Sequence, residues 1–217
     1  MSTQLKTTEP SHKPLFAGID VGAEELILVI RKHGVPRKAQ TCANTVVDRA
    51  RLAKKLSKLP GIIVCMEATG IYHLDLSIAL HDAGVKLMVV NPKASHNFAK
   101  VLMKNSKTDA VDASTLAEYA ERMDFVTWTR PSNERLTLRS FSRRINALTR
   151  DKAAAKNHLH ALSFTRATPK SVLRDARLAI SQLEKRIARL SQDALSLIES
   201  DAEFNHVFEL LLGVKGI

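Results

Sequence analysis

Three short apolar runs, each closed by a polar residue, constrain this chain most. Leu15 to Ile19 ends at Asp20, Ile62 to Met66 ends at Glu67, and Lys86 to Val90 ends at Asn91-Pro92. Runs this short, rich in β-branched residues and bounded by turn formers, predict strands. The segments between them have helical spacing. After a cap at Asn44 or Thr45, Val47, Ala50, Leu52, Ala53 and Leu56 fall on one side of a helix that Pro60-Gly61 stops. A second helix is predicted over Ile71 to Ala83, before Gly84. Strands joined through helices return parallel to one another. Two further strands, Leu26 to Arg31 and Lys38 to Ala43, follow the first closely enough for hairpins, with the turn expected at Gly34-Val35-Pro36. The order β-β-β-α-β-α-β-α gives an α/β fold with a mixed five-stranded sheet and flanking helices. Asp20 and Glu67 then stand at the carboxyl ends of neighbouring parallel strands, where such sheets place their sites.

Two more acids follow in Lys107-Thr108-Asp109-Ala110-Val111-Asp112-Ala113. Thr108 is the expected N-cap, and on a helix Asp109 and Asp112, three residues apart, share one face of the first turn. Each acid has an ordinary explanation. Acids suit helix starts, Glu67 precedes a helix, and Asp20 precedes the turn at Gly22. Together they pose an electrostatic problem. Four convergent carboxylates repel and raise one another's pKa unless a cation neutralises them. Oxygen-only ligands favour a hard ion such as Mg²⁺ or Mn²⁺, which can polarise a phosphodiester and stabilise its leaving oxygen.

Gly18-Ile19-Asp20-Val21, Met66-Glu67-Ala68-Thr69-Gly70, Val90-Asn91-Pro92 and Lys107 to Ala113, in that order, resemble the signature of the DEDD transposases of the insertion-sequence-110 type. That family includes bridge-RNA-guided recombinases and Piv-like invertases. The resemblance covers about residues 15 to 130 and implies an RNase H-like, RuvC-type nuclease core. It implies that Asp20, Glu67, Asp109 and Asp112 are the catalytic and metal-holding tetrad of a DNA transposase or site-specific recombinase. It also implies DNA, and in some relatives a guide RNA, as partner. The setting implied is a bacterial cytoplasm, in association with the nucleoid. Gly18 to Gly22 also resembles the first phosphate loop of sugar kinases and actin-like ATPases, but Ala23-Glu24-Glu25 follows and no second half repeats it.

Beyond Pro131 the pattern changes. Leu138, Phe141, Ile145, Leu148, Lys152, Ala155, Leu159 and Leu162 advance by three and four residues. So do Leu173, Ala176, Ile180, Leu183, Ile187, Leu190, Ala194 and Leu197. These are heptad seams, and a Pro-containing turn at 165–169 joins them into a predicted coiled-coil hairpin. Helices of this length, on the order of 45 Å, predict a homodimer or higher homo-oligomer. From Pro131 to Arg177 the chain has 11 Lys+Arg and 3 Asp+Glu, a net +8 of the whole chain's +11. That excess points to a polyanion, contacted by Arg135, Arg139, Arg143, Arg144, Arg150, Lys156, Arg166, Lys170, Arg174 and Arg177.

The expected organisation is a disordered tail over 1–13, a RuvC-like DEDD metal-binding domain over 14–130, the hairpin over 131–205, and over 206–217 the start of a truncated C-terminal domain. Gly213 to Ile217 resembles the opening of the family's second domain, which carries a serine nucleophile; the resemblance implies that this domain is missing here. No apolar run reaches the length of a membrane span, and the N-terminal residues lack the apolar core of a secretory signal. Cys42 and Cys65 read as buried free thiols.

Overall fold

The computed structural model describes residues 15–103 and 108–214. The expected tail over 1–13, Lys107, and residues 215–217 at the chain's end lie outside the described residues. Two compact units follow one another, the first ending at Arg130 and the second beginning at Pro131.

The first unit is built on β1 (Phe16–Val21). It pairs antiparallel with β2 (Glu25–Lys32) on one side and parallel with β5 (Ile63–Glu67) on the other. β6 (Lys86–Val90) continues the sheet parallel to β5. Two edge strands, β3 (Val35–Pro36) and β4 (Gln40–Ala43), both pair with β2, so the sheet has six strands in the order β3-β2-β1-β5-β6, with β4 also on β2. This is the RNase H-like mixed sheet expected, with one strand more. The extra strand arises because the turn falls earlier than predicted. His33 and Gly34 both take positive φ, 54° and 77°, and form a tight two-residue hairpin that leaves Val35-Pro36 free to pair.

Side-chain alternation along the strands decides which helix meets which residue. Ala17, Ile19, Val64, Met66 and Leu87 face one side, where they bury Leu52 and Leu56 of α1 (Val46–Ser57) and Leu76 and Leu80 of α2 (Leu74–Asp82). Thr45 caps α1 by accepting from the Asp48 N–H. α2 starts three residues later than predicted, because Gly70 to His73 form turns. Phe16, Ile63, Cys65, Met88 and Val90 face the other side and pack on Leu116, Tyr119 and Ala120 of α4 (Asp109–Arg122). Asp20 shares its parity with Phe16, and Glu67 with Cys65. Both sheet acids therefore belong to the face that α4 covers.

A buried ion pair also holds α4. Arg31, 7% exposed, places Nε 2.8 Å from Glu121 and Nη1 3.5 Å from Glu118, itself 7% exposed. Arg122 meets the second oxygen of Glu118 at 2.6 Å, and Arg31 Nη2 donates to the Gly34 carbonyl. The second helix over this face, α3 (Pro92–Val101), joins α4 through an edge-to-face contact of Phe98 with Tyr119, centroids 5.0 Å apart.

In the second unit, α5 (Asn133–Ser163) and α6 (Lys170–Ser200) pack on each other. Ion pairs from Arg135 to Glu203, past the end of α6, and from Lys156 to Glu184 match the start of α5 with the end of α6, so the helices run antiparallel. Every residue of the two heptad series is buried or half-buried, with Leu148 fully enclosed. The seam is therefore filled within one chain. α7 (Ala202–Leu212), capped by Asp201, packs back on α6; the seam spacing, which ends at Leu197, did not predict it. Among the described residues no helix is long and apolar enough to cross a membrane.

Candidate functional site

The register of β1 and β5 pairs Gly18 with Cys65 and Ile19 with Met66, so Asp20 and Glu67 come next on adjacent strands. What brings α4 to them is a missing side chain. A Cβ at Gly18 would stand 2.0 Å from the Ala113 carbonyl oxygen and 2.3 Å from the Ala117 nitrogen. Glycine in the strand, with alanines on the helix, lets the two backbones touch. Asp112, one residue before Ala113, is thereby held against the strand end. Thr108 caps α4 by accepting from the Val111 N–H, which fixes its first turn.

Asp20, Glu67 and Asp112 line one cavity of about 240 Å³, walled by Pro92, Ser95, His96 and Ala99 of α3 and by Thr115 and Leu116 of α4. Asp109 does not line it; it is exposed, at the first position of α4. Its charge still reaches Asp20. Burial, then the charges of Asp109 and Asp112, and more weakly Glu67, push the Asp20 carboxyl up to about 6, against the opposing pull of the Val21 N–H. Asp20 therefore feels the charge of all three other acids at one strand end.

Glu67 is held from both sides. Ser95 Oγ donates to Oε2 at 2.6 Å and Thr69 Oγ1 donates to Oε1 at 2.7 Å. Beneath it, burial and then the Glu67 charge push the Cys65 thiol up to about 12, so it stays a neutral core residue. Cys42 is half-buried; both thiols are free. Gly18, Thr69, Ser95 and His96 are site residues that the sequence reading did not assign. A glycine between Ala17 and Ile19, inside an apolar strand, was the available signal for the first.

The four acids offer only carboxylate oxygen, which fits a hard divalent cation. A cation would also relieve the repulsion that raises Asp20. As placed, no three acidic, histidine or cysteine side chains among the described residues stand close enough together to hold an ion.

The ten basic residues singled out between Arg135 and Arg177 are all exposed. Arg135 and Lys156 are engaged in the two ion pairs of the hairpin. The other eight make no ion pair among the described residues. By helical spacing Arg135, Arg139, Arg143 and Arg150 fall within roughly 80° of arc on α5, on the face away from Ile145 and Leu148.

The family model for DEDD transposases of the insertion-sequence-110 type, described as "Transposase", matches residues 17–163. A probable family 20 transposase of Pseudomonas aeruginosa is 26% identical across 92% of this chain and 64% of its own length. The transposase of insertion sequence element IS1328 from Yersinia enterocolitica is 29% identical across 75% of this chain and 46% of its own. The pilin gene-inverting protein of Moraxella bovis is 28% identical across 70% and 45%. The chain thus spans between about half and two thirds of the length of these relatives. Among solved structures, Thermus thermophilus RuvC bound to a Holliday junction is similar over 52% of this chain and 98% of its own, with 15% identity and a TM-score of 0.37. The Fowlpox virus resolvase bound to Holliday junction DNA is similar over 49% and 99%, with 15% identity and a TM-score of 0.35. The fold itself stands on the strand order and register above. With the model matching well over half of its residues, the chain belongs to the DEDD transposase family of the insertion-sequence-110 type.

Proposed function

We propose that the first unit is a metal-dependent, RuvC-like nuclease domain acting on DNA phosphodiesters during transposition or site-specific recombination. Asp20, Glu67, Asp109 and Asp112 would hold Mg²⁺ or Mn²⁺, which when bound supplies charge neutralisation and Lewis acidity at the phosphodiester. The observation that carries this reading is the delivery of acids from β1, β5 and α4 to one cavity, with the Asp20 carboxyl pushed up to about 6 by burial and by its acidic neighbours. The chain's own residues do the positioning. Gly18 lets α4 close on β1, the Arg31–Glu121 pair anchors that helix, and Thr108 fixes the turn carrying Asp109 and Asp112.

The basic faces of the hairpin give nucleic acid its grip in this reading, DNA first, with a guide RNA as a further partner of the same chemistry. A homodimer or higher homo-oligomer would meet through hairpin faces outside the filled seam.

A second reading is a non-catalytic chain that binds nucleic acid, favoured by the absence, among the described residues, of three acids close enough to hold an ion as placed. Incubating the 217-residue chain with branched DNA and Mn²⁺ distinguishes the readings. Cleavage that Asp20→Asn and Asp112→Asn abolish supports the nuclease. DNA binding with no cleavage, and no melting shift with Mn²⁺, supports the second.

A further inference from the structure

We infer that Ser95 and Thr69 are positioning residues, a pair of hydroxyl donors that sets the Glu67 carboxylate in one orientation before any cation arrives. The inference rests on the proposed role of Glu67 as a metal ligand.

Glu67 ends a strand and its side chain has two free torsions beyond Cβ, so a lone glutamate there would sample several rotamers. Two segments from opposite directions restrain it. Thr69, two residues on, reaches back to Oε1 at 2.7 Å. Ser95 reaches in from α3, 28 residues away, to Oε2 at 2.6 Å. Ser95 is 6% exposed, and its one hydroxyl proton goes to the charged acceptor, the Pro92 carbonyl being farther at 3.0 Å. Its neighbours fix where it stands. Asn91 caps α3 by accepting from the Lys93 N–H, Pro92 occupies the first turn, and the Ala68 N–H donates to the Val90 carbonyl, tying the two segments together. The Phe98–Tyr119 contact braces the same helix on α4. Two hydroxyls occupy one lone pair on each carboxylate oxygen and leave the other on each for a further partner. This gives a purpose to Thr69, and to Asn91-Pro92, whose proline is three residues ahead of Ser95, in motifs where Glu67 alone had one.

Groups that orient a ligating carboxylate typically contribute roughly 10–100-fold in metal affinity. The test is Mn²⁺ titration of the full 217-residue chain, with free Mn²⁺ read by electron paramagnetic resonance, alongside melting without metal. Ser95→Ala and Thr69→Val should each weaken Mn²⁺ binding by about tenfold, while Thr69→Ser, which keeps the hydroxyl at an exposed position, stays near wild type. Metal-free melting of the Thr69 variants should not change. Wild-type affinity in Thr69→Val, or equal losses in Thr69→Val and Thr69→Ser, overturns the inference while Glu67→Gln still shows the site to be real. Wild-type affinity in Glu67→Gln overturns the metal site and this inference with it.

Discussion

Gly18→Ala adds one carbon at the tightest contact of the first unit. The new Cβ would meet the Ala113 oxygen at 2.0 Å, the Ala117 nitrogen at 2.3 Å and the Leu116 carbonyl carbon at 2.9 Å. All three are backbone atoms, so no rotamer change relieves the overlap. Ordinary contact is about 3.5 Å, so α4 must retreat by about 1.5 Å or tilt by an equivalent amount. Overpacking of this kind costs about 1–3 kcal/mol, and retreat also loosens Leu116 and Ala120 from Cys65 and Met88. A loss near the top of that range lowers the melting temperature by roughly 10 °C for a domain on the order of 100 residues. A second effect follows at the site. Asp112 and Asp109 move away from Asp20 with the helix, so the stabilisation gained from Mn²⁺ should shrink as well. Trp128, the chain's one tryptophan, belongs to the first unit, where its backbone N–H donates to the Leu87 carbonyl and its ring meets His81. Its fluorescence therefore follows the melting of that unit. A Gly18→Ala variant that melts with wild type and keeps the full Mn²⁺ shift would refute the account of how α4 is seated.

Asp20 gives a pH signature. Its folded-state pKa of about 6 lies above the ordinary 3.8, so the folded protein holds this proton more tightly than the unfolded chain does. Metal-free stability from this group is therefore greatest below about pH 4 and is lost as pH rises through about 6. The shift corresponds to about 3 kcal/mol, reduced by solvent screening to about 1–2 kcal/mol. Asp20→Asn should be more stable than wild type at pH 7 by that amount in chelator, with the step removed, as denaturant melts across pH will read. In the hairpin, Leu148→Ala should cost about 2–5 kcal/mol because its side chain is fully enclosed by the filled seam; helical circular dichroism checks it. On DNA, changing Arg139 and Arg143 together to Gln should lower the log–log salt slope by about one to two units, near 0.9 for each phosphate contact. An unchanged slope would make that face of α5 a solvated surface.

The parts of this fold that a sequence shows are those written in local pattern. Asp20 and Glu67 could be placed because each closes an apolar run, Thr108 because a cap precedes two acids, and the α5–α6 seam because its spacing repeats. The remainder depends on distance in space. Arg31 and Glu121 are 90 residues apart and meet only once α4 lies across β2. Ser95 finds Glu67 across 28 residues, through a helix whose angle no local pattern specifies. A two-residue strand such as Val35-Pro36 is too short for periodicity, and it exists because His33-Gly34 turns early. The step to α7 was written locally, in Asp201 ahead of Phe204, Val207 and Phe208, but its signal is a cap rather than a seam.

The most direct measurement of the central claim is the anomalous diffraction of a crystal of this chain equilibrated with Mn²⁺. The account predicts the strongest peak in the cavity, with carboxylate oxygens of Asp20, Glu67, Asp109 and Asp112 drawn to roughly 2.0–2.3 Å of bound ions, distances normal for hard divalent ions on oxygen. An empty cavity at saturating Mn²⁺, or a strongest peak held by other residues, would contradict it.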